Sequence, residues 1–178
     1  MDDPERERWL PTREIVALLE VPGGARVLDY GTGTGRYALG IAREHPDAVV
    51  TAFDIQQEML QIVQRRMAEG RVTNIRVAGP ERSALSKHTF DRILGVNLLH
   101  EIDDEDLLHM RELLRANGVL LVIDWESSVP RDFGPPPEHV HTVQEALLRI
   151  RRAGFPRAQI VETPSFPYHY VIRAEIGG

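Results

Sequence analysis

Asp29, Gly31, Gly33, Gly35, Asp54 and His100 are the residues whose types and spacing could do chemistry. The first four fall in one string, Val27-Leu28-Asp29-Tyr30-Gly31-Thr32-Gly33-Thr34-Gly35. Val27 and Leu28 read as the end of a buried strand, Asp29 as an acid at its carboxyl end, and Thr34 as the N-cap of a helix over 35–44. Strand, glycine turn and helix start together make a nucleotide-type site. The turn lets a ligand approach closely and leaves main-chain N–H groups to meet it. Spacing selects among ligands: Arg36 stands where a dinucleotide fingerprint needs its third glycine, and no Walker-type G-x-x-x-x-G-K-S/T string occurs. A carboxylate at Asp29 is unhelpful to a phosphate and suits a cation. His100 is a general-base candidate because imidazole titrates near neutrality; the rival role is a pocket wall bonded to the main chain. His139 and His141 with Glu138, Asp124 and Glu126 have the residue types of a metal site, but two histidines in a proline loop do not make a ligand set, and no metal is expected.

The elements that must position these groups alternate. Apolar runs at 25–30, 48–54, 74–78, 90–96 and 119–125 read as strands, several of them apolar almost throughout, as parallel strands covered on both faces are. Between them, helical spacing marks 35–44, 56–69 and 104–115, and residues 79–89 read as a polar loop. The acids 103–106 read as a solvated first helical turn. A proline-rich loop over 127–140 leads to a helix at 142–153, on which Arg149, Arg151 and Arg152 read as a solvated face. Two strands, 157–162 and 168–175, have no helix between them and fit an antiparallel hairpin. The whole predicts an α/β, doubly wound, mostly parallel sheet that binds its ligand beyond the strand carboxyl ends.

Bulk properties narrow the class. The chain has 178 residues, 42% hydrophobic and 27% charged, in the ordinary range for a globular domain. A net charge of −6 argues against a nucleic-acid partner. The absence of cysteine removes thiolate metal sites, disulfides and cysteine nucleophiles. Residues 1–8 lack the apolar core of a signal peptide and no run reaches the roughly 20 apolar residues of a membrane span, so the expected location is cytoplasmic, with no membrane partner.

The string 27–35 is similar to motif I of the class I S-adenosylmethionine-dependent methyltransferases. Asp54-Ile55-Gln56-Gln57-Glu58-Met59-Leu60 resembles the family segment after the second strand, and Asn97-Leu98-Leu99-His100-Glu101-Ile102 the motif IV region. Arg115-Ala116-Asn117-Gly118 is similar to the turn before the fifth strand. Phe133 to His139, Ala153-Gly154-Phe155, Phe166 to Tyr170 and the arm Pro4 to Trp9 resemble a small bacterial branch of the ubiquinone/menaquinone-biosynthesis-like group. The resemblance implies a Rossmann-like, seven-stranded sheet. It implies an arm and short helix over 1–24 and a single methyltransferase domain over 25–178, with S-adenosyl-L-methionine as cofactor. The implied cofactor contacts are Asp29, Gly31, Thr32, Gly33, Asp54 for the ribose, Ile55 for the adenine face, Met59 and Asn97. His100 is the implied catalytic candidate. Gly79 occupies the position where the family often carries an acid for the adenine amino group, so that contact falls to the main chain or to Glu81.

Methyl transfer to a small-molecule acceptor, by a monomer or homodimer, is the expected function. A protein that binds S-adenosylmethionine or S-adenosylhomocysteine without catalysis is the alternative from another class. An NAD-type oxidoreductase is opposed by the glycine spacing and by Asp29.

Overall fold

The computed structural model describes residues 5–177. Five short apolar runs become parallel strands: β1 (Arg26–Tyr30), β2 (Val49–Phe53), β3 (Ile75–Val77), β4 (Phe90–Val96) and β5 (Leu114–Trp125). β6 (Gln159–Val161) and β7 (His169–Glu175) complete a seven-stranded sheet in the order β3-β2-β1-β4-β5-β7-β6. β7 is antiparallel to both of its neighbours, β5 and β6. The expected α/β architecture is therefore present, with β7 inserted between β5 and β6. The strand order reverses between β1 and β4, which opens a crevice at their carboxyl ends.

Two apolar layers cover the sheet. α1 (Arg6–Trp9), α2 (Thr12–Leu18), α3 (Arg36–Glu44) and α4 (Gln57–Gly70) bury Leu10, Ile15, Tyr37, Ile41 and Val63 with Val27, Val50 and Ile123. α5 (Asp104–Leu113) and α6 (Val143–Arg152) bury Leu107, Met110 and Ile150 on the other side with Leu28, Ile93, Leu120 and Ile172. Local chemistry fixes the starts of these last two helices. The Asp103 carboxylate accepts the Asp106 N–H at 2.9 Å, and Thr142 and Glu145 form a reciprocal capping box.

One local reading changes. Arg115 to Gly118, expected as a turn, belongs to β5, which begins at Leu114 opposite Phe90; an irregularity in the ladder between Phe90 and Arg92 absorbs the extra residues. The crossover from β3 to β4 contains only a 3-10 turn, Arg82–Ala84, which leaves a groove of about 280 Å³ reaching Arg26, Val49 and Phe90, the first residues of β1, β2 and β4. No helix among the described residues is long and apolar enough to cross a membrane.

Candidate functional site

The glycine turn is bonded inward. The N–H groups of Gly31 and Thr32 both donate to the Phe53 carbonyl at 2.8 Å, Gly33 donates to the Asp54 carboxylate at 2.8 Å, and Gly35 to the Thr32 carbonyl at 2.9 Å. The turn therefore does not leave these amides free for a ligand, contrary to the sequence expectation. What it offers is close approach: Gly31 and Gly33 have φ of 73° and 53°, and a Cβ on Gly31 would stand 2.7 Å from Leu98 Cδ1. Thr34 does not cap α3. Gly35 holds that position, and the third helical N–H, from Ala38, donates instead to Asp29 Oδ2 at 3.0 Å. The same oxygen accepts the Thr32 hydroxyl at 2.6 Å. Asp29 is thus the remote cap of α3, 1% exposed, and burial lifts its carboxyl to about pKa 6 against the lowering effect of these two hydrogen bonds.

Asp54 works one strand away. Its Oδ2 accepts the Gly33 N–H and its Oδ1 the Gln56 N–H at 2.9 Å, so one carboxylate fixes both the turn and the start of α4. A cavity of about 330 Å³ opens over it, lined by Gly31, Gly33, Asp54, Ile55, Met59 and Asn97, and closed at the far end by Tyr30, Arg82 and Asp106. There the Tyr30 hydroxyl donates to Asp106 Oδ1 at 2.8 Å and Arg82 pairs with the same oxygen at 2.8 Å. Burial, reinforced by the Asp106 carboxylate, pushes the Tyr30 hydroxyl well above its ordinary pKa and keeps it a donor. Ile55 is 72% exposed, an apolar shelf facing Leu98 and Ile102 across the cavity lining. Asn97 has φ of 53°, and its side-chain oxygen is buried without a hydrogen-bond partner.

On the other side of Gly31, Gly33 and Met59 lies a smaller cavity of about 140 Å³, lined also by Thr32, Arg6, Arg36 and Tyr37. Three donors of these lining residues, Arg6 Nε, Arg36 Nη1 and the Tyr37 hydroxyl, are buried without hydrogen-bond partners. The arm that carries Arg6 is pinned by Arg36, whose Nη2 lies 2.7 Å from Glu7 Oε2 and whose Nε donates to Thr12 Oγ1 at 3.1 Å.

Past β4 and β5 the walls change to rings. Trp9 stacks on His169 with centroids 5.3 Å apart and planes 10° off parallel, and it also meets Trp125, Phe133 and Tyr168. Arg131 lies over Trp125 at 4.9 Å and holds the proline loop by donating to the carbonyls of Glu126, Val129 and Pro135. Burial drives His169 down to about pKa 3, and both its ring nitrogens lack partners, so it is a neutral wall of this cluster. His100 Nδ1 lies 2.8 Å from Asp124 Oδ1, and its main-chain N–H donates to Asp124 Oδ2 at 3.0 Å. Arg149, expected in solvent, is only 18% exposed: it donates to the carbonyls of Leu99 and Ile102 and pairs with Asp104, which fixes the loop after β4. Of the metal-type residues, Glu126 accepts the N–H groups of Ser128 and Val143 and His141 lies beside Arg149, and no three His, Asp or Glu among the described residues come together as a metal site.

The structure thus gathers Gly31, Thr32, Gly33, Asp54, Ile55, Met59 and Asn97 around the two cavities. Asp29 lies beneath the turn, not in the lining. Glu81 is exposed, outside both cavities and 3.5 Å from Ser83 Oγ; the neighbouring Arg82 is the residue that reaches in. His100 is in the lining of neither cavity, although Leu98 and Glu101 on the same loop line the larger one. Sequence reasoning missed Tyr30, Arg82 and Asp106, which meet from three elements, and Arg6, Arg36 and Tyr37. The one local signal was Asp106, three residues after a helix cap and hence turned back over it.

Comparison with known proteins bears on this geometry. A family model described as "Methyltransferase domain" matches residues 27–118. The chain is 25% identical to a malonyl-acyl-carrier-protein O-methyltransferase of Geobacter sulfurreducens, over 87% of this chain and 65% of that protein. It is 34% identical to a demethylmenaquinone methyltransferase of Tropheryma whipplei, over 70% of this chain and 51% of that protein. It therefore spans between about half and two thirds of the length of these curated relatives. A SAM-dependent methyltransferase structure from Aquifex aeolicus superposes with a TM-score of 0.88 at 27% identity, covering 99% of this chain and 95% of that one. The matched segment starts in β1, takes in the glycine turn, Asp54 and the loop after β4, and ends in β5. By that match the chain belongs to the methyltransferase domain family.

Proposed function

We propose that the chain binds S-adenosylmethionine over the glycine turn and catalyses transfer of its methyl group to a small-molecule acceptor. The observation that carries this reading is the cleft itself, two cavities joined at Gly31, Gly33 and Met59, with unpartnered donors at one end and a carboxylate and an apolar shelf at the other. Arg6, Arg36 and Tyr37 suit a carboxylate. The partnerless Asn97 oxygen suits an ammonium. Asp54 has a second lone pair on each oxygen for ribose hydroxyls, and Ile55, Leu98 and Ile102 suit a flat base. The inward-bonded amides leave the turn poorly equipped for a pyrophosphate, which weighs against a dinucleotide. When bound, the cofactor supplies an electrophilic methyl group on a sulfonium. The protein's task is then to hold that group against the acceptor and keep water out. His100 is the catalytic candidate, on the loop between the cavity and the aromatic cluster.

The net charge of −6 supports a small-molecule acceptor over a nucleic acid, and we place the protein in the cytoplasm as a monomer or homodimer. Isothermal titration with S-adenosylmethionine and S-adenosylhomocysteine tests the cofactor, and transfer of labelled methyl to an acceptor panel tests the reaction. Binding of both without any transfer would favour a non-catalytic binding protein; binding of NAD alone would overturn the reading.

A further inference from the structure

Asp124 is placed at unusual cost. It is 0% exposed, near the carboxyl end of β5, and all its hydrogen bonds come from its surroundings at the acceptor side. The Trp125 N–H reaches Oδ1 at 2.7 Å, the His100 N–H reaches Oδ2 at 3.0 Å, and His100 Nδ1 lies 2.8 Å from Oδ1. A buried carboxylate accepts and cannot donate, so the neutral imidazole must carry its proton on Nδ1 and leave the Nε2 lone pair free. Nε2 lies 3.7 Å from Glu101 Oε1, and Glu101 lines the larger cavity. The charged and titratable groups facing the ring are Asp124 on β5, Glu101 on its own loop, Arg131 from the proline loop and His169 on β7. Burial lowers the pKa of His100; the Asp124 hydrogen bond and charge, aided by Glu101, outweigh it and hold the ring above its ordinary range.

We propose that His100 and Asp124 form a proton-accepting pair and that the acceptor is a phenol-like hydroxyl on a flat ring. This rests on the methyl-transfer reading above. An oxygen lone pair forms the new O–CH3 bond, the electrons of the broken C–S bond stay on sulfur, and the hydroxyl proton goes to His100 Nε2. The imidazolium so formed sits against the Asp124 carboxylate until it releases the proton to water. Asp124 is the positioning residue and His100 the catalytic one. A thioether or a tertiary amine brings no proton, and a carboxylate has already lost it at neutral pH, so none of these needs the pair. An aliphatic alcohol is too weak an acid to match imidazole, whereas a phenol, at a pKa of about 10, is within reach. Among the neighbouring rings Phe133 is 39% exposed and Trp9 and Tyr168 are half-buried, which leaves aromatic surface for such an acceptor, with Trp125 buried beneath them.

Nitrogen-15 NMR of the full chain with labelled histidine tests the pair without any acceptor. The expected result is a neutral His100 with the proton on Nδ1, titrating above pH 6.5, and a pKa that falls in Asp124→Asn. A neutral ring with its proton on Nε2 overturns the pair in the wild-type protein alone, even if the variant does not fold. Methyl transfer to unsubstituted catechol, whose hydroxyls stay protonated at neutral pH, and to N,N-dimethylaniline tests the acceptor class. We expect transfer to the catechol, a loss of about 100-fold in kcat in His100→Gln, and an unchanged affinity for S-adenosylhomocysteine. A smaller loss is expected in Asp124→Asn, with the acid limb of the kcat profile displaced. Transfer by His100→Gln at the wild-type rate, or transfer to the aniline alone, overturns the proposal. Failure to bind either cofactor form strikes the methyl-transfer reading, while the NMR result still decides whether the pair exists.

Discussion

The cleft has a wall of main chain held by two carboxylates; beyond it, outside the lining of both cavities, stands a second wall, a stack of rings. Asp29 and Asp54 between them bond Thr32, Gly33, Ala38 and Gln56, all within two successive strand–turn–helix units. Trp9, Trp125, Phe133, Tyr168 and His169 come from the arm, β5, the proline loop and the approach to β7, and meet only when those four segments have docked. The first wall has little tolerance, because its side chains are hydrogen or are bonded to amides. The second can change ring by ring without moving the turn. A protein built this way keeps its cofactor chemistry fixed and leaves its acceptor surface open to variation.

The sharpest way to break this contrast is Asp54→Ala. It removes the acceptor of two N–H groups along with the proposed ribose partner, and at about 1.5–3 kcal/mol for a hydrogen bond to a charged group the affinity for S-adenosylhomocysteine should fall about 100-fold by calorimetry. Unchanged affinity would remove Asp54 from the site. Trp9→Ala comes next. The ring is half-buried, so a loss of about 2 kcal/mol in urea denaturation is expected, less than the 3–5 typical of a fully buried aromatic ring. If the two walls are independent, cofactor affinity will change far less than in Asp54→Ala. Gly31→Ala should cost about 1–2 kcal/mol for its left-handed backbone and push Leu98 towards the cavity, whereas at Gly33, where a Cβ meets nothing within 4 Å, only the backbone cost applies. Equal effects at the two glycines would show that Leu98 yields freely.

The two walls also differ in how they respond to acid. Asp29 titrates near pH 6 when folded and near 3.8 when unfolded, so the folded state holds the proton more tightly and stability falls as pH rises from about 4 to 6. His169 goes from 6.5 unfolded to about 3 folded, so the unfolded state holds the proton more tightly and stability falls as pH drops from about 6.5 to 3. Melting temperatures across pH 4–8 should therefore separate the variants. The gain from Asp29→Asn should grow as pH rises to about 6, and the gain from His169→Phe should grow as pH falls. Parallel difference curves would contradict the opposite burial costs.

The grouping of the glycine turn with Asp54 around the cavities was legible because its information is local. Glycines, a strand-end acid and a second acid one unit later carry their meaning in their spacing. The spacing could not say which way a side chain turns. Asp29 turns under the helix it caps, and Arg82, not Glu81, turns into the cavity. Long-range partners left still less trace. Arg149 looks like a surface residue until the loop after β4 is folded beneath it, and Arg36 looks like a failed glycine until Glu7 reaches it. The acceptor wall depends on where the arm lies, which no periodicity records.

The position of β7 sets an order on synthesis. Residues 169–175 zip onto seven partners in β5 and three in β6, so neither strand has that neighbour until they have left the ribosome. Through that interval the nascent chain carries β5, buried throughout residues 118–125 in the finished fold, as an open and mostly apolar edge. The glycine turn can form early, since β1, β2 and β4 all precede β7 in the chain. The aromatic wall must wait, because His169 is the first residue of the strand that closes the sheet.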